Sequence, residues 1–170
     1  TGEMMQLCKM LSDKFPKAKF LFISPHRHEV IEAAAATYGL DSQKIVTRQA
    51  NRQEVPVLLS FSSYSIFFIK ACYSKISSSP TKHGEIMAMG IPVITNIGVG
   101  DVEEIVNKYH GGYVLHDFSE KAINEVVNKI AAGNQFNSEE IRNGAKEYYS
   151  LSEAVNRYRY VYELIFRNAQ

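Results

Sequence analysis

Residues 84–101 read GEIMAMGIPVITNIGVGD: a small-residue helix, a glycine, an apolar strand and a glycine-rich turn, in that order. Ile91–Thr95 (IPVIT) is continuously apolar, as a strand covered on both faces should be. Upstream, Tyr64–Ile69 (YSIFFI) has the same character. Lys19–Ser24 (KFLFIS), Lys44–Thr47 and Gly112–Leu115 complete a set of short strands. Helical patterns lie between them. Met4, Met5, Leu7, Cys8 and Leu11 recur at helical spacing before Pro16, and His28–Tyr38 ends at Gly39, where glycine suits a helix C-terminus. Helices are also expected near Lys82–Met89 and Val102–Tyr109. Gln53–Phe61 fits helix or strand by period alone, with Pro56 suited to a first helical turn. The last third is helical: Glu120–Ala132, Ser138–Tyr149 and Ser152–Arg167, with Gly133 and Asn134 breaking the first from the second. Strands alternating with helices predict an α/β fold, a Rossmann-like parallel sheet with helices on both faces and a helical C-terminus. In such sheets ligands bind outside the carboxyl ends of the strands, so the loops after Ser24, Ile69 and Thr95 are the ones to inspect.

Composition narrows the function. The 170 residues suit one domain, expected to span residues 1–170, and 45 % hydrophobic content supports a full core. Nineteen basic against eighteen acidic residues leave a net charge of +1 with no basic run, which argues against a nucleic-acid partner. The longest apolar runs, such as Val55–Leu59 and Ile66–Ile69, fall far short of the roughly 20 residues a transmembrane helix needs. Two cysteines, Cys8 and Cys72, make no disulfide scaffold and fit a reducing, cytoplasmic compartment. Thr1-Gly2-Glu3 runs straight into a helical pattern without a signal peptide, and the chain is expected to be a piece of something longer.

The run from Lys70 to Gly90, KACYSKISSSPTKHGEIMAMG, carries the most chemistry. Ser79 can cap a helix, Pro80 suits its first position, and Thr81, Lys82 and His83 fill its first turn. A lysine there opposes the helix dipole by a few tenths of a kcal/mol, and Gly84 costs up to about 1 kcal/mol relative to alanine. Both choices make sense around an anion. Backbone N–H groups and Lys82 would hold a phosphate, Gly84 would let a ligand approach, and Glu85 would accept from two ribose hydroxyls. The alternative is a solvated basic turn with a glutamate exposed to water. Asn96–Gly100 is a second candidate phosphate cradle, or simply a tight turn. Asp101 with Glu104 reads as a capping box, and Glu103 adds a third carboxylate. These charges would repel a diphosphate, which assigns the phosphate to Thr81–Gly84 and leaves Gly98 and Gly100 a supporting role against base or sugar.

GEIMAMGIPVITNIGVGD directly after SSSPTKH resembles the C-terminal, donor-binding domain of GT-B-fold glycosyltransferases, specifically the family 4-like group known as glycosyl transferases group 1. The resemblance rests on Glu85, Met87-Ala88-Met89, Gly90, Ile91-Pro92-Val93-Ile94 and Gly98–Gly100, and is specific across about Tyr64 to Val106. It implies that Glu85 binds the nucleotide ribose and that Thr81, Lys82 and Gly84 contact the diphosphate. The SPTK-x-GE form resembles a subgroup associated with bacterial surface-polysaccharide synthesis. Two departures matter. Ser77 stands where members carry a glutamate facing the donor sugar, so sugar identity and stereochemical outcome stay open. The family's diphosphate-neutralising Arg and Lys pair has no match; the resemblance implies that this region precedes Thr1 and that the N-terminal acceptor domain is absent. The implied function is hexosyl transfer from a nucleotide-diphosphate sugar by the whole protein, with the fragment alone inactive. No cofactor and no metal are implied, since the sugar nucleotide is a substrate. The implied partner is the N-terminal domain of the same protein, and the implied location is the cytoplasm, peripheral at the inner membrane. A GT-B-type sugar-nucleotide epimerase and a non-catalytic Rossmann-like interaction module are the competing readings. No residue is assigned as catalytic.

Weaker signals complete the reading. His26 and His28 flank Arg27 in what reads as a polar loop or, lacking further ligands, an incomplete metal pair. Arg27, Arg48 and Lys70 are equivalent candidates to reach the cleft. His83 is expected to donate to a phosphate oxygen or to cap the helix. Tyr148, Tyr149, Tyr158, Tyr160, Tyr162 and Phe166 read as helix packing, with some rings exposed if a neighbouring domain is absent.

Overall fold

The apolar runs become parallel strands, and the periodic segments between them become helices. The computed structural model describes residues 2–25, 28–133 and 135–168, with side chains as far as residue 167. The readings placed on His26, Arg27 and Asn134 lie outside the described residues. The order is α1 (Gly2–Lys14), β1 (Phe20–Ile23), α2 (His28–Thr37), β2 (Ile45–Arg48), α3 (Val55–Leu59), β3 (Ser65–Ile66), α4 (Thr81–Ala88), β4 (Val93–Asn96), α5 (Val102–Lys108), β5 (Gly112–Leu115), α6 (Glu120–Ala131), α7 (Ser138–Tyr149) and α8 (Leu151–Asn168).

Among the described residues all pairings are parallel, but they form two ladders rather than one continuous sheet. One is β1-β2, with Phe20 opposite Ile45; the other is β3-β4-β5, with Ser65 opposite Val93 and Val93 opposite Gly112. The expected strand Tyr64–Ile69 has ladder geometry only at Ser65–Ile66. Beyond it the Phe67 N–H still donates to the Ile94 carbonyl, at 3.2 Å. At Ile69 the partner is a side chain: Asn96 Oδ1 accepts from the Ile69 N–H and Nδ2 donates to the Ile69 carbonyl, both at 2.9 Å. A buried amide thus replaces the ladder at the carboxyl ends of β3 and β4.

A shared apolar core joins the two ladders. Met5, Leu7 and Leu11 of α1, Phe20, Ile45, Ile94, Tyr113, Leu115 and Ile123, Val126 and Val127 of α6 form one cluster. Phe67, Ile86, Val93, Val99, Val102 and Val106 fill the opposite face between β4, α4 and α5. Each such side chain contributes about 1.5–3 kcal/mol on full burial, so these contacts, not helix propensity, hold α4. A third cluster, Met87, Ile105, Tyr109, Ile141 and Ala145, docks α7 onto α4 and α5.

Residues 53–61 resolve to the helix α3 for a local reason. Asn51 Oδ1 accepts from the N–H groups of Gln53 and Glu54, while Glu54 Oε2 accepts from the Asn51 N–H at 2.8 Å. That reciprocal exchange nucleates the turn. At the C-terminus the packing expectation divides. Tyr148 and Tyr149 pack against the third cluster, whereas Tyr158, Tyr160, Tyr162 and Phe166 are exposed on α8, with Leu151, Val155, Val161 and Ile165 beside them. No described helix is long and apolar enough to cross a membrane.

Candidate nucleotide-binding site

Helix α4 starts one residue later than its sequence suggests. Pro80, in extended conformation (φ −69°, ψ 116°), occupies the cap position, and no side chain caps the helix. Ser79 is therefore not the cap. The Pro80 carbonyl accepts from the His83 N–H at 2.9 Å. The first amides of a helix have no intrahelical partner, so this start presents donors, with Thr81 and Lys82 exposed beside them. Lys82 stands where the dipole favours an anion.

His83 points the other way. It is 0 % exposed, between the rings of Phe67 and Tyr149, each at a centroid distance of 5.7 Å. Its Nδ1 shares a hydrogen bond with the Tyr149 hydroxyl at 3.1 Å, and its Nε2 is buried with no partner among the described residues. Burial pushes its pKa down to about 4, against an opposing pull from Asp101. The imidazole is neutral at pH 7 and sealed from solvent, so it neither caps α4 nor donates to a ligand. Gly84 has a packing reason: a Cβ there would lie 2.8 Å from Tyr149 Cγ. The helix interior accepts a glycine because a ring fills the space.

Glu85 faces outward with its side chain 54 % exposed, 4.0 Å from the Arg52 guanidinium. Arg52 is 95 % exposed, so this pair contributes little to stability, but it places the loop before α3 beside Glu85. That loop borders a cleft of about 570 Å³ at the carboxyl ends of β1 and β2, lined by Ile23, Ser24, Pro25, Gln49, Ala50, Asn51 and Glu54. A groove of about 470 Å³ runs between α4 and α7, past Thr81, Gly84, Glu85, Arg142, Lys146 and Tyr149.

The glycine-rich turn sits on the segment leading into α4. Gly98 and Gly100 have φ of +80° and +46°, and a Cβ on Gly100 would come within 2.1 Å of the Ser78 carbonyl oxygen. The Gly100 N–H donates to the Lys75 carbonyl at 3.0 Å. Backbone shape and close approach thus require these glycines. Ser77 is exposed on the same segment. The expected capping box of Asp101 and Glu104 does not form. Asp101 makes no cap bond; its Oδ2 accepts from the Tyr148 hydroxyl, and its Oδ1 is buried without a partner among the described residues. That hydrogen bond to Asp101 is the main cause raising the Tyr148 pKa to about 12. Glu103 instead faces His116 at 3.6 Å.

The candidate cations separate. Arg48 donates to the Thr47 carbonyl at 2.9 Å, and Lys70 is exposed beyond β3. His28 heads α2 and faces Glu32 at 3.0 Å. Among the described residues, no group of three or more His, Cys, Asp or Glu side chains is placed to hold a metal ion. Sequence reasoning missed Arg52, Asn96 and the role of Tyr149. Asn96 carried a signal, as the polar residue ending an apolar strand. Arg52 and Tyr149 carried none, because their partners lie 33 and 66 positions away.

The family model described as glycosyl transferases group 1 matches residues 3–147. The chain belongs to this family. Solved structures agree on the fold. A sucrose-phosphate synthase from Thermosynechococcus elongatus superposes with a TM-score of 0.66 at 16 % identity, over 96 % of this chain and 42 % of that one. A glycosyltransferase involved in avilamycin A biosynthesis gives 0.65 at 18 %, over 96 % and 47 %. A mutant O-GlcNAc transferase of Thermobaculum terrenum gives 0.61 at 14 %, over 99 % and 35 %. This glycosyl transferases group 1 chain thus has a GT-B-type fold and spans less than half the length of these solved structures. No curated protein matches it significantly in sequence.

Proposed function

We propose that this chain is the donor-binding half of a glycosyltransferase that moves a sugar from a nucleotide-diphosphate sugar to an acceptor. The carrying observation is the start of α4: an uncapped helix terminus with Lys82 in its first turn and an outward Glu85 one turn further on, in a member of the glycosyl transferases group 1 family. Amides of Thr81, Lys82 and Gly84 and the Lys82 ammonium hold the diphosphate, and Glu85 accepts from the ribose hydroxyls. Arg52, released from Glu85, joins the phosphate contacts. The base lies toward the cleft at the ends of β1 and β2, where open α/β sheets take ligands. Gly98 and Gly100 bring the backbone close on the sugar side, with Ser77 nearby. In the reaction the bond between the anomeric carbon and the diphosphate oxygen breaks, and a bond from the acceptor oxygen forms. Charge then grows on the leaving diphosphate, where Lys82 and the amides stabilise it.

The acceptor site and general base belong to a second domain, and the exposed apolar face of α8 fits a contact with it. On this reading the 170 residues alone do not transfer sugar. The whole protein is cytoplasmic, peripheral at the inner membrane and active on a bacterial surface polysaccharide, with a hexose as the transferred group. The donor is substrate, and no separate cofactor takes part.

Calorimetric titration with UDP, GDP and ADP tests the reading. One of the three binds, and Lys82→Ala weakens it about 10- to 100-fold, the range for a charge-assisted hydrogen bond worth roughly 1.5–3 kcal/mol. No binding by any of them would favour the non-catalytic module.

A further inference from the structure

Two adjacent tyrosines end α7, and each reaches a different part of the site. The Tyr149 hydroxyl meets His83 Nδ1 at 3.1 Å, and its ring covers the bare face of Gly84. The Ser79 hydroxyl lies close enough to the same phenol to lower its pKa, against the larger effect of burial. One side chain therefore meets Ser79, before Pro80, and His83 and Gly84 in the first turn of α4. The Tyr148 hydroxyl binds Asp101, the residue that closes the glycine-rich turn. The two rings meet edge to face at 5.1 Å.

Packing alone does not call for this chemistry. Phenylalanine would cover Gly84 equally well, and an apolar residue at position 83 would avoid a buried, unpartnered Nε2. A buried polar pair of this kind adds direction, since a hydrogen bond constrains angle where apolar contact does not. The direction it sets is that of the α4 start.

We propose that Tyr149 is a positioning residue for the α4 site: through His83 and Gly84 it holds the first turn of α4 where its amides can meet a diphosphate. The inference rests on the nucleotide reading above. Tyr149 does not touch the ligand. It sets the orientation of the groups that do.

Tyr149→Phe keeps the ring and removes the hydroxyl. Its affinity for UDP, GDP and ADP is compared with its affinity for uridine, guanosine and adenosine, alongside amide hydrogen exchange at residues 81–85. The expected result is a 3- to 10-fold loss for the diphosphate that binds, an unchanged nucleoside affinity and faster exchange in the first turn. A loss shared equally by diphosphate and nucleoside, or no loss, overturns the positioning role. His83→Phe, which fills the same buried volume, is the second variant, with the same selective loss expected and a uniform loss counting against it. If the unmodified chain binds none of the three diphosphates, the nucleotide reading falls and this inference with it. If it binds one and Tyr149→Phe binds that one equally, the positioning role alone falls.

Discussion

Acidification should destabilise this protein through His83 more than through any exposed group. The imidazole is fully buried, and burial holds its pKa near 4, against about 6.5 in an unfolded chain. As pH falls below about 6.5, the unfolded chain takes up a proton here before the folded one does. Stability contributed by the neutral ring is therefore intact above that pH, declines through the interval, and is lost once the pH reaches the folded pKa. Each pKa unit corresponds to about 1.4 kcal/mol, so between pH 7 and 4.5 this site removes about 2 kcal/mol. The assay is urea unfolding at both pH values for the unmodified chain and for His83→Phe, which lacks the titrating group. The carboxylates of Glu3, Asp117 and Glu147 contribute to both proteins alike, so the difference between the two pH dependences isolates His83. The unmodified chain should lose about 2 kcal/mol more than the variant. Equal losses would refute the burial argument and the neutral imidazole with it.

Other perturbations test separate parts of the structure. Gly84→Ala should destabilise by about 1–3 kcal/mol in denaturant unfolding despite alanine's better helix propensity, because its Cβ overlaps the half-buried Tyr149 ring. Asn96→Ala should cost about 1–3 kcal/mol, since it strands the Ile69 N–H and carbonyl at the end of the ladder, and exchange at the Ile69 amide should accelerate. A thiol reagent at neutral pH should modify Cys72 quickly and Cys8 only on unfolding. Cys72 is exposed, with its pKa lowered chiefly by the Ser74 hydroxyl, whereas burial raises the Cys8 thiol to about 12.

The fold was legible where the signal is local. Alternating apolar runs and periodic segments place the strands and helices to within a residue or two, except at β3, where the run to Ile69 leaves the ladder after Ile66; burial on both faces keeps the central strands mostly apolar. The split into two ladders was not legible. Nor was the early end of β3, where the Asn96 side chain takes over the pairing at Ile69, a contact between distant positions. Helix α3 was ambiguous by period, although Asn51 and Glu54 stood at capping-box spacing. At the site, Lys82 and Glu85 could be singled out because a cation and a glycine are poor choices for a helix start without a ligand. The glycine's cost, however, has a different cause, the Tyr149 ring. His83 shows the limit most clearly: its place in the sequence puts it among phosphate donors, and one hydrogen bond from α7 turns it into the core. The carboxylates near Asp101 read as a cap because Asp-x-x-Glu usually is one, and Tyr148 took that acceptor instead.

Amide chemical-shift mapping of the 170-residue chain with UDP, GDP and ADP addresses the donor-binding claim most directly. The account predicts that one of them shifts the amides of Thr81–Glu85 together with those of Gln49–Arg52, and that Glu85→Ala weakens the response. Shifts confined to the Asp101–Glu104 turn, or no shifts at the start of α4, would contradict it.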